Sequence, residues 1–306
     1  MSATTQWPVW RSLMYVPVNV ERFVDKAHTR GADVVQIDLE DSIPPSEKDH
    51  ARTLIEAVAP RVRRGGADVI VRINRPIAMA VRDIECSIVP DVDGLALTKV
   101  DSASHVKLLD ELVTELEQSR GIRLGSIRFI VMIETAEAFL EIGAILRASS
   151  RIVAANIGGE DFATDCNMEP LAETLLYPKQ HMIVAASAAR VMPFGFIASV
   201  ADYSDMSAFS AMVKRSRAFG FMGAGCIHPL QVPVLNEAYK PDADEVIWAK
   251  RVVDGYADAQ AAGRASFALD SKMIDIPVVE RAERVLTRAA AVAEREARMQ
   301  QFASTP

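Results

Sequence analysis

Two apolar runs in this 306-residue chain end on carboxylates. The first, RFIVMIE, closes at Glu134, and the second, IVAANIGGED, closes at Glu160 and Asp161. A carboxylate at the end of a buried-looking run keeps its charge only if a cation or a hydrogen-bond donor compensates it. Two such ends on adjacent strands lie ~4.8 Å apart, within reach of one ion. Hard oxygen ligands with no Cys or His beside them favour Mg²⁺, with Mn²⁺ as the other candidate. In the competing structural reading, Glu134 and Asp161 each cap the helix that follows.

More charges sit at the ends of other apolar runs. VVQIDLED carries Asp38, Glu40 and Asp41; VIVRIN carries Arg72 and Asn74; GLALTK ends in Lys99; GCIHP holds His228. Arg72 can pair with the acids of the preceding run and can also face an oxyanion. Lys99 suits a substrate carboxylate, an ion pair or a Schiff base. His228, before Pro229, suits a strand-end turn or acid/base work.

These residues need elements that bring them together. Eight strand-like runs begin near residues 12, 33, 68, 94, 128, 152, 194 and 224, and segments of helical period separate them. One helix stripe holds Val106, Leu109, Leu112, Val113 and Leu116. Residues 136–149 hold another, with Phe139, Ile142, Ile145 and Leu146. The strand runs lack strict alternation, as strands covered on both faces do. Eight βα units in roughly 230 residues predict an α/β fold, a closed (β/α)8 TIM barrel whose strand ends share one mouth. An open doubly wound sheet is the alternative, but no GxGxxG follows the first run. The barrel is placed at 1–238. A C-terminal helical extension follows at 239–306, with a helix capped by Asp242, a loop over FALDSKMID and a long helix from Pro277.

Bulk properties narrow the function. Half the residues are hydrophobic, a quarter are charged and the net charge is −7; the pI is near 5.4. No basic block points to nucleic acid, and no apolar run reaches the ~20 residues of a membrane span. Three scattered cysteines and the lack of a signal-like start fit a cytoplasmic protein.

The motifs RSLMYVPVNVERFVDKA, GADVVQIDLEDSIPPSEKDHAR, VIVRIN, IVMIETAEAF, NIGGEDFATD, GFMGAGCIHPLQV and SKMIDIPVVERAERVL occur in this order. From about residue 11 to 290 the chain resembles the citrate lyase β-subunit-like branch of the HpcH/HpaI aldolase/citrate lyase family. The resemblance implies a TIM barrel, usually homotrimeric or hexameric, that makes or breaks a C–C bond between an acyl thioester, such as an acyl-CoA, and an α-keto acid; the alternatives are the citryl-cleaving β subunit of a citrate lyase complex, acting on an acyl-carrier-protein thioester, and a non-catalytic homologue that binds a keto acid and a metal. It implies Glu134 and Asp161 as Mg²⁺ ligands, Glu134 also lying beside the substrate. Arg72 would be the substrate-contacting arginine that steadies the thioester enolate. Asp275 would be the acid/base residue on a C-terminal lid, able to reach a neighbouring subunit's site. Asp38, Glu40, Asp41 and Lys99 would surround the metal site. A carboxylate gains basicity where a lid excludes water. Val18, Thr98 and Ala224 stand where the family often has Gly, Pro and a basic residue near the mouth.

Overall fold

The computed structural model describes residues 7–198 and 205–303. The described chain divides into two compact units, residues 10–239 and residues 240–301.

The larger unit is the barrel. Its strands are β1 (Ser12–Pro17), β2 (Val34–Asp38), β3 (Asp68–Ile73), β4 (Gly94–Leu97), β5 (Arg128–Ile133), β6 (Ile152–Ile157), β7 (Met192–Pro193) and β8 (Ala224–Cys226). The sheet runs β7-β6-β5-β4-β3-β2-β1-β8, and every paired neighbour is parallel. Two backbone bonds join the remaining ends. Met222 N–H donates to Pro193 O at 3.1 Å, and Gly195 N–H to Gly223 O at 2.8 Å. These bonds close the ring into the (β/α)8 barrel.

Around it lie α1 (Glu21–Ala27), α2 (Lys48–Arg63), α3 (Ile77–Ser87), α4 (Ala103–Ser119), α5 (Ala136–Leu140), α6 (Ile142–Ile145), α7 (Gly159–Asp165), α8 (Ala172–Ala189), α9 (Met206–Phe219) and α10 (Gln231–Ala238). Alternate strand residues such as Val35, Ile37, Val69, Val71, Phe129, Val131 and Ile133 join the helices in one hydrophobic core. The intervening residues, Gln36, Asp38, Ile70, Arg72, Ile130, Met132 and Asn156, therefore face the barrel interior. At the strands' N-terminal ends the buried charges are paired. Arg11 Nε is 2.8 Å from Asp33, and Arg151 Nη2 is 2.7 Å from Glu117. The expected stripe on α4 is buried at Val106, Leu109 and Val113, and Ser102 caps the helix by accepting from His105 N–H.

Three expectations are corrected. The seventh strand is Met192–Pro193, not the run 194–200, of which Ser199 and Val200 lie outside the described residues. Residues 136–149 form two short helices that part at Glu141, although Phe139, Ile142, Ile145 and Leu146 are all buried. The FALDSKMI stretch is a hairpin, β9 (Phe267–Leu269) with β10 (Lys272–Ile274), rather than a loop.

That hairpin belongs to the smaller unit, with α11 (Ala243–Ala261) and α12 (Ile276–Ala303). Asp242 and Glu245 form the capping box of α11. Ala249, Val252, Ile274, Val279 and Ala282 make this unit's own core. No described helix is long and apolar enough to cross a membrane.

Candidate active site

Parallel strands present their C-terminal residues at one mouth. There the structure joins Asp38, Glu40, Asp41, Arg72, Lys99, Glu134 and Asp161 in one charged network.

Arg72 is the centre of one half. Its Nε and Nη2 donate to the two Asp38 oxygens, each at 2.7 Å, and its Nη1 is 2.9 Å from Glu40. The register Asp38↔Arg72 puts the pair side by side on neighbouring strands. Burial opposes charge on Asp38, but the guanidinium outweighs it and holds the carboxyl below the usual range. Burial also works against the Arg72 charge, yet the Asp38 contact keeps the guanidinium firmly protonated. The guanidinium stands 5.2 Å from the centre of the Tyr15 ring. The loop after β2 is tied down by Lys48, whose Nζ donates to the carbonyls of Leu39 and Glu40 at 2.8 and 2.6 Å and to Asn74 at 2.8 Å. Sequence reading did not single out Lys48 or Tyr15, because neither departs from the pattern of its own element.

Lys99 links the two halves. It follows β4 with φ +47°, a conformation that costs a non-glycine residue about 1 kcal/mol or more. In this conformation its backbone N–H donates to Glu134 Oε2 at 2.5 Å. Its Nζ bonds Glu40 at 2.8 Å and stands 3.7 Å from Asp161. Burial lowers the lysine's basicity, but the Glu40 contact more than reverses this and keeps it protonated. Lys99 is thus an ion-paired cation.

Glu134 is the other centre. Its residue is 4% exposed. Burial first, and then the charge of Asp161, push its carboxyl up to about 7 against the donation from Lys99 N–H. It does not cap the next helix; Thr135 does, accepting from Ala138 N–H. Asp161 lies inside the first turn of α7, and Gly158 is the N-cap. A Cβ on Gly158 would come 2.5 Å from Glu134 Oε1, so the turn after β6 needs glycine there to seat the carboxylate.

The donor set fits a hard divalent cation. A carboxylate whose pKa burial raises, with a second carboxylate beside it, offers what Mg²⁺ takes. Among the described residues no group of three or more His, Cys, Asp or Glu is arranged to hold a metal ion without further ligands.

A cavity of about 980 Å³ opens at this mouth, lined by Tyr15, Asp38, Arg72, Gly158, Lys179 and His228 among others. His228 takes the strand-end role, its Nδ1 accepting from Leu230 N–H at 3.3 Å. Asp275 belongs to the smaller unit, just ahead of α12, where its carbonyl accepts from Val278 and Val279 N–H.

Residues 11–229 match the family model described as HpcH/HpaI aldolase/citrate lyase. Citrate lyase subunit beta of Leuconostoc mesenteroides subsp. cremoris is 30% identical over 279 residues, covering 90% of this chain and 92% of that protein. Human mitochondrial citramalyl-CoA lyase is 27% identical, covering 93% of this chain and 87% of that one. The crystal structure of protein CitE from Mycobacterium tuberculosis with magnesium, acetoacetate and coenzyme A superposes with a TM-score of 0.72. It is 26% identical and covers 94% of this chain and all of that one.

Proposed function

The chain belongs to the HpcH/HpaI aldolase/citrate lyase family and is a carbon–carbon lyase, and we propose that it is a Mg²⁺-dependent enzyme cleaving a 3-hydroxyacyl-CoA thioester, of the malyl-CoA or citramalyl-CoA kind, into an acyl-CoA and an α-keto acid. The observation that carries this reading is that one mouth holds both an anchored guanidinium, Arg72, and a buried carboxylate, Glu134, whose pKa is raised by burial and by Asp161.

Residues 1–238 are the catalytic domain in this reading and 239–306 the lid. Glu134 and Asp161 hold the metal, which polarises the oxygens of the keto-acid half when bound. The substrate hydroxyl would pass its proton, directly or through an intervening water, to the carboxylates of Glu40 and Asp41. The C–C bond breaks, its electron pair passes into the thioester, and negative charge gathers on the thioester oxygen. Arg72 donates to that oxygen, and its bonds to Asp38 and Glu40 fix the guanidinium beforehand, so no reorganisation accompanies the charge. Asp275 protonates the enolate carbon and so releases the acyl-CoA. Lys99 holds Glu40 and orients Glu134. Arg22, Lys26 and Arg30 line the cavity, and their charge suits the phosphates of CoA. This favours CoA over an acyl-carrier protein, the form of substrate that the citryl-cleaving alternative requires.

The test is a panel of hydroxyacyl-CoA thioesters assayed with the purified chain, with and without Mg²⁺. Cleavage of at least one, lost on chelation, is expected; silence across the panel sinks the proposal. Asp275→Asn is expected to lower kcat roughly 100-fold or more while Mg²⁺ affinity, read by calorimetry, stays within about threefold. In a homotrimer or hexamer that shares the acid, mixing Asp275→Asn with Arg72→Lys subunits restores turnover. No recovery after verified subunit exchange assigns the acid to its own subunit's site.

A further inference from the structure

Tyr15 has no role in the reaction above, yet it stands beside the arginine at its centre. It lies on β1 between Met14 and Val16, which belong to the core shared with the helices. Alternation along the strand therefore turns its ring into the barrel. The ring centre lies 5.2 Å from the Arg72 guanidinium carbon, and Tyr15, Arg72, Asp38 and Gly225 line the same cavity. Gly225, on β8, makes room for the ring. A Cβ there would come 2.8 Å from Tyr15 Cε2 and 3.3 Å from the hydroxyl oxygen. The tip of the phenol thus rests on bare backbone at the cavity wall.

The hydroxyl is only half used. Gln36 is the register neighbour of Tyr15 on β2, and its side-chain amide lies toward the phenol oxygen. The buried Gln36 Nε2 has no other partner among the described residues. An amide nitrogen donates, so the phenol oxygen accepts and its own proton is left over. Among the described residues no carboxylate or carbonyl takes that proton. Burial raises the pKa of the phenol, so at neutral pH the proton stays on oxygen and is available to a ligand. The position decides which part of the substrate it meets. Arg22, Lys26 and Arg30, suited to CoA, lie on α1 and the segment after it, next to β1, whereas Glu134 and Asp161 follow β5 and β6. A thioester reaching from the first group to the second crosses the mouth where Tyr15 and Arg72 meet.

We infer that the Tyr15 hydroxyl is a second donor to the thioester oxygen, so that a phenol and a guanidinium together hold the negative charge that C–C cleavage places there. Arg72 commits three of its five N–H groups to Asp38 and Glu40, and a neutral donor beside it adds stabilisation without drawing the guanidinium from those acids. The phenol keeps its proton throughout. The electron pair of the broken C–C bond rests on the thioester oxygen and returns to carbon when Asp275 protonates it. This inference rests on the reaction proposed above.

Tyr15→Phe in the full chain tests it, because the ring stays beside Arg72 and only the hydroxyl is lost. On a thioester that the wild type cleaves, kcat is expected to fall roughly 100-fold while KM stays within about threefold, the mark of a contact made in the transition state. Calorimetry in magnesium buffer reads the same contact without turnover, with carboxymethyldethia-CoA and CoA as the two probes. The carboxylate of the first stands where the enolate oxygen forms. The Phe variant is expected to bind it roughly 10-fold more weakly and CoA within about threefold of the wild type. Full kcat in the variant, or equal loss of both probes, overturns the inference and leaves the lyase reaction standing. A wild type that cleaves no thioester refutes the reaction, and the probes then decide alone: selective loss of carboxymethyldethia-CoA keeps the donor, and any other result removes it. Gly225→Ala sets a methyl group against the ring and is expected to repeat the loss. It takes the place of the Phe variant if a melting curve shows that the latter does not fold.

Discussion

Arg72→Lys lowers kcat by roughly 100- to 1,000-fold, the usual cost of losing one donor aimed at a developing oxyanion. The lysine keeps a positive charge but loses the fork. In the wild type, Nε and Nη2 engage both Asp38 oxygens while Nη1 reaches Glu40. One ammonium cannot hold all three oxygens and still face the substrate. The Ala variant is a poorer test, because it leaves Asp38 and Glu40 buried without their cation, a loss of about 3–5 kcal/mol. Lysine separates chemistry from folding. Steady-state kinetics with a melting curve on the same protein reads the difference. Full kcat in the Lys variant would remove Arg72 from the chemistry.

Glu134→Gln is expected to abolish metal-dependent turnover with the fold intact, and to end any rise in Tm on adding Mg²⁺. The amide keeps an oxygen for Lys99 N–H, so the local turn survives. The same change has a second signature in chelated buffer. The Glu134 carboxyl moves from 4.5 to about 7 on folding. Because the folded-state value is the higher one, the folded state holds the proton more tightly. Stability associated with this group is complete below about pH 4.5 and is lost as pH rises through about 7. The loss is on the order of 3 kcal/mol at most. Metal-free wild type is therefore expected to lose stability between about pH 4.5 and 7, and Glu134→Gln to lose less. Parallel melting curves for the two proteins across that range would defeat this account of Glu134. Full turnover by the variant in chelator would defeat its role as a ligand.

The acids and cations at the mouth were legible because a strand covered on both faces tolerates charge only where it ends. Asp38, Arg72, Lys99, Glu134 and Asp161 each interrupt or close an apolar run. The seventh strand was not legible. Its Pro193 has no N–H to extend a ladder, and Gly195 at φ +129° turns the chain. Phe196 and Ile197 read as strand because they are apolar, but they are buried in the core without pairing. The hairpin at 267–274 was missed for a different reason. Its turn residues, Asp270 and Ser271, both take positive φ, which a two-residue hairpin loop requires, but Asp-Ser lacks the usual glycine signal.

The sequence by itself determined the order of the elements, the burial of their faces and the residue types at the strand ends. All of these follow from periodicity along a single chain. Tertiary structure alone decided the state of each charge. Lys99 is an ion-paired cation because its left-handed backbone turns its amide to Glu134 and its ammonium to Glu40. The Glu134 carboxyl is pushed up because burial and the neighbouring Asp161 outweigh the amide and charge of Lys99. The charge state of a buried group depends on neighbours distant in sequence, and only the closed barrel brings those neighbours within a few ångströms.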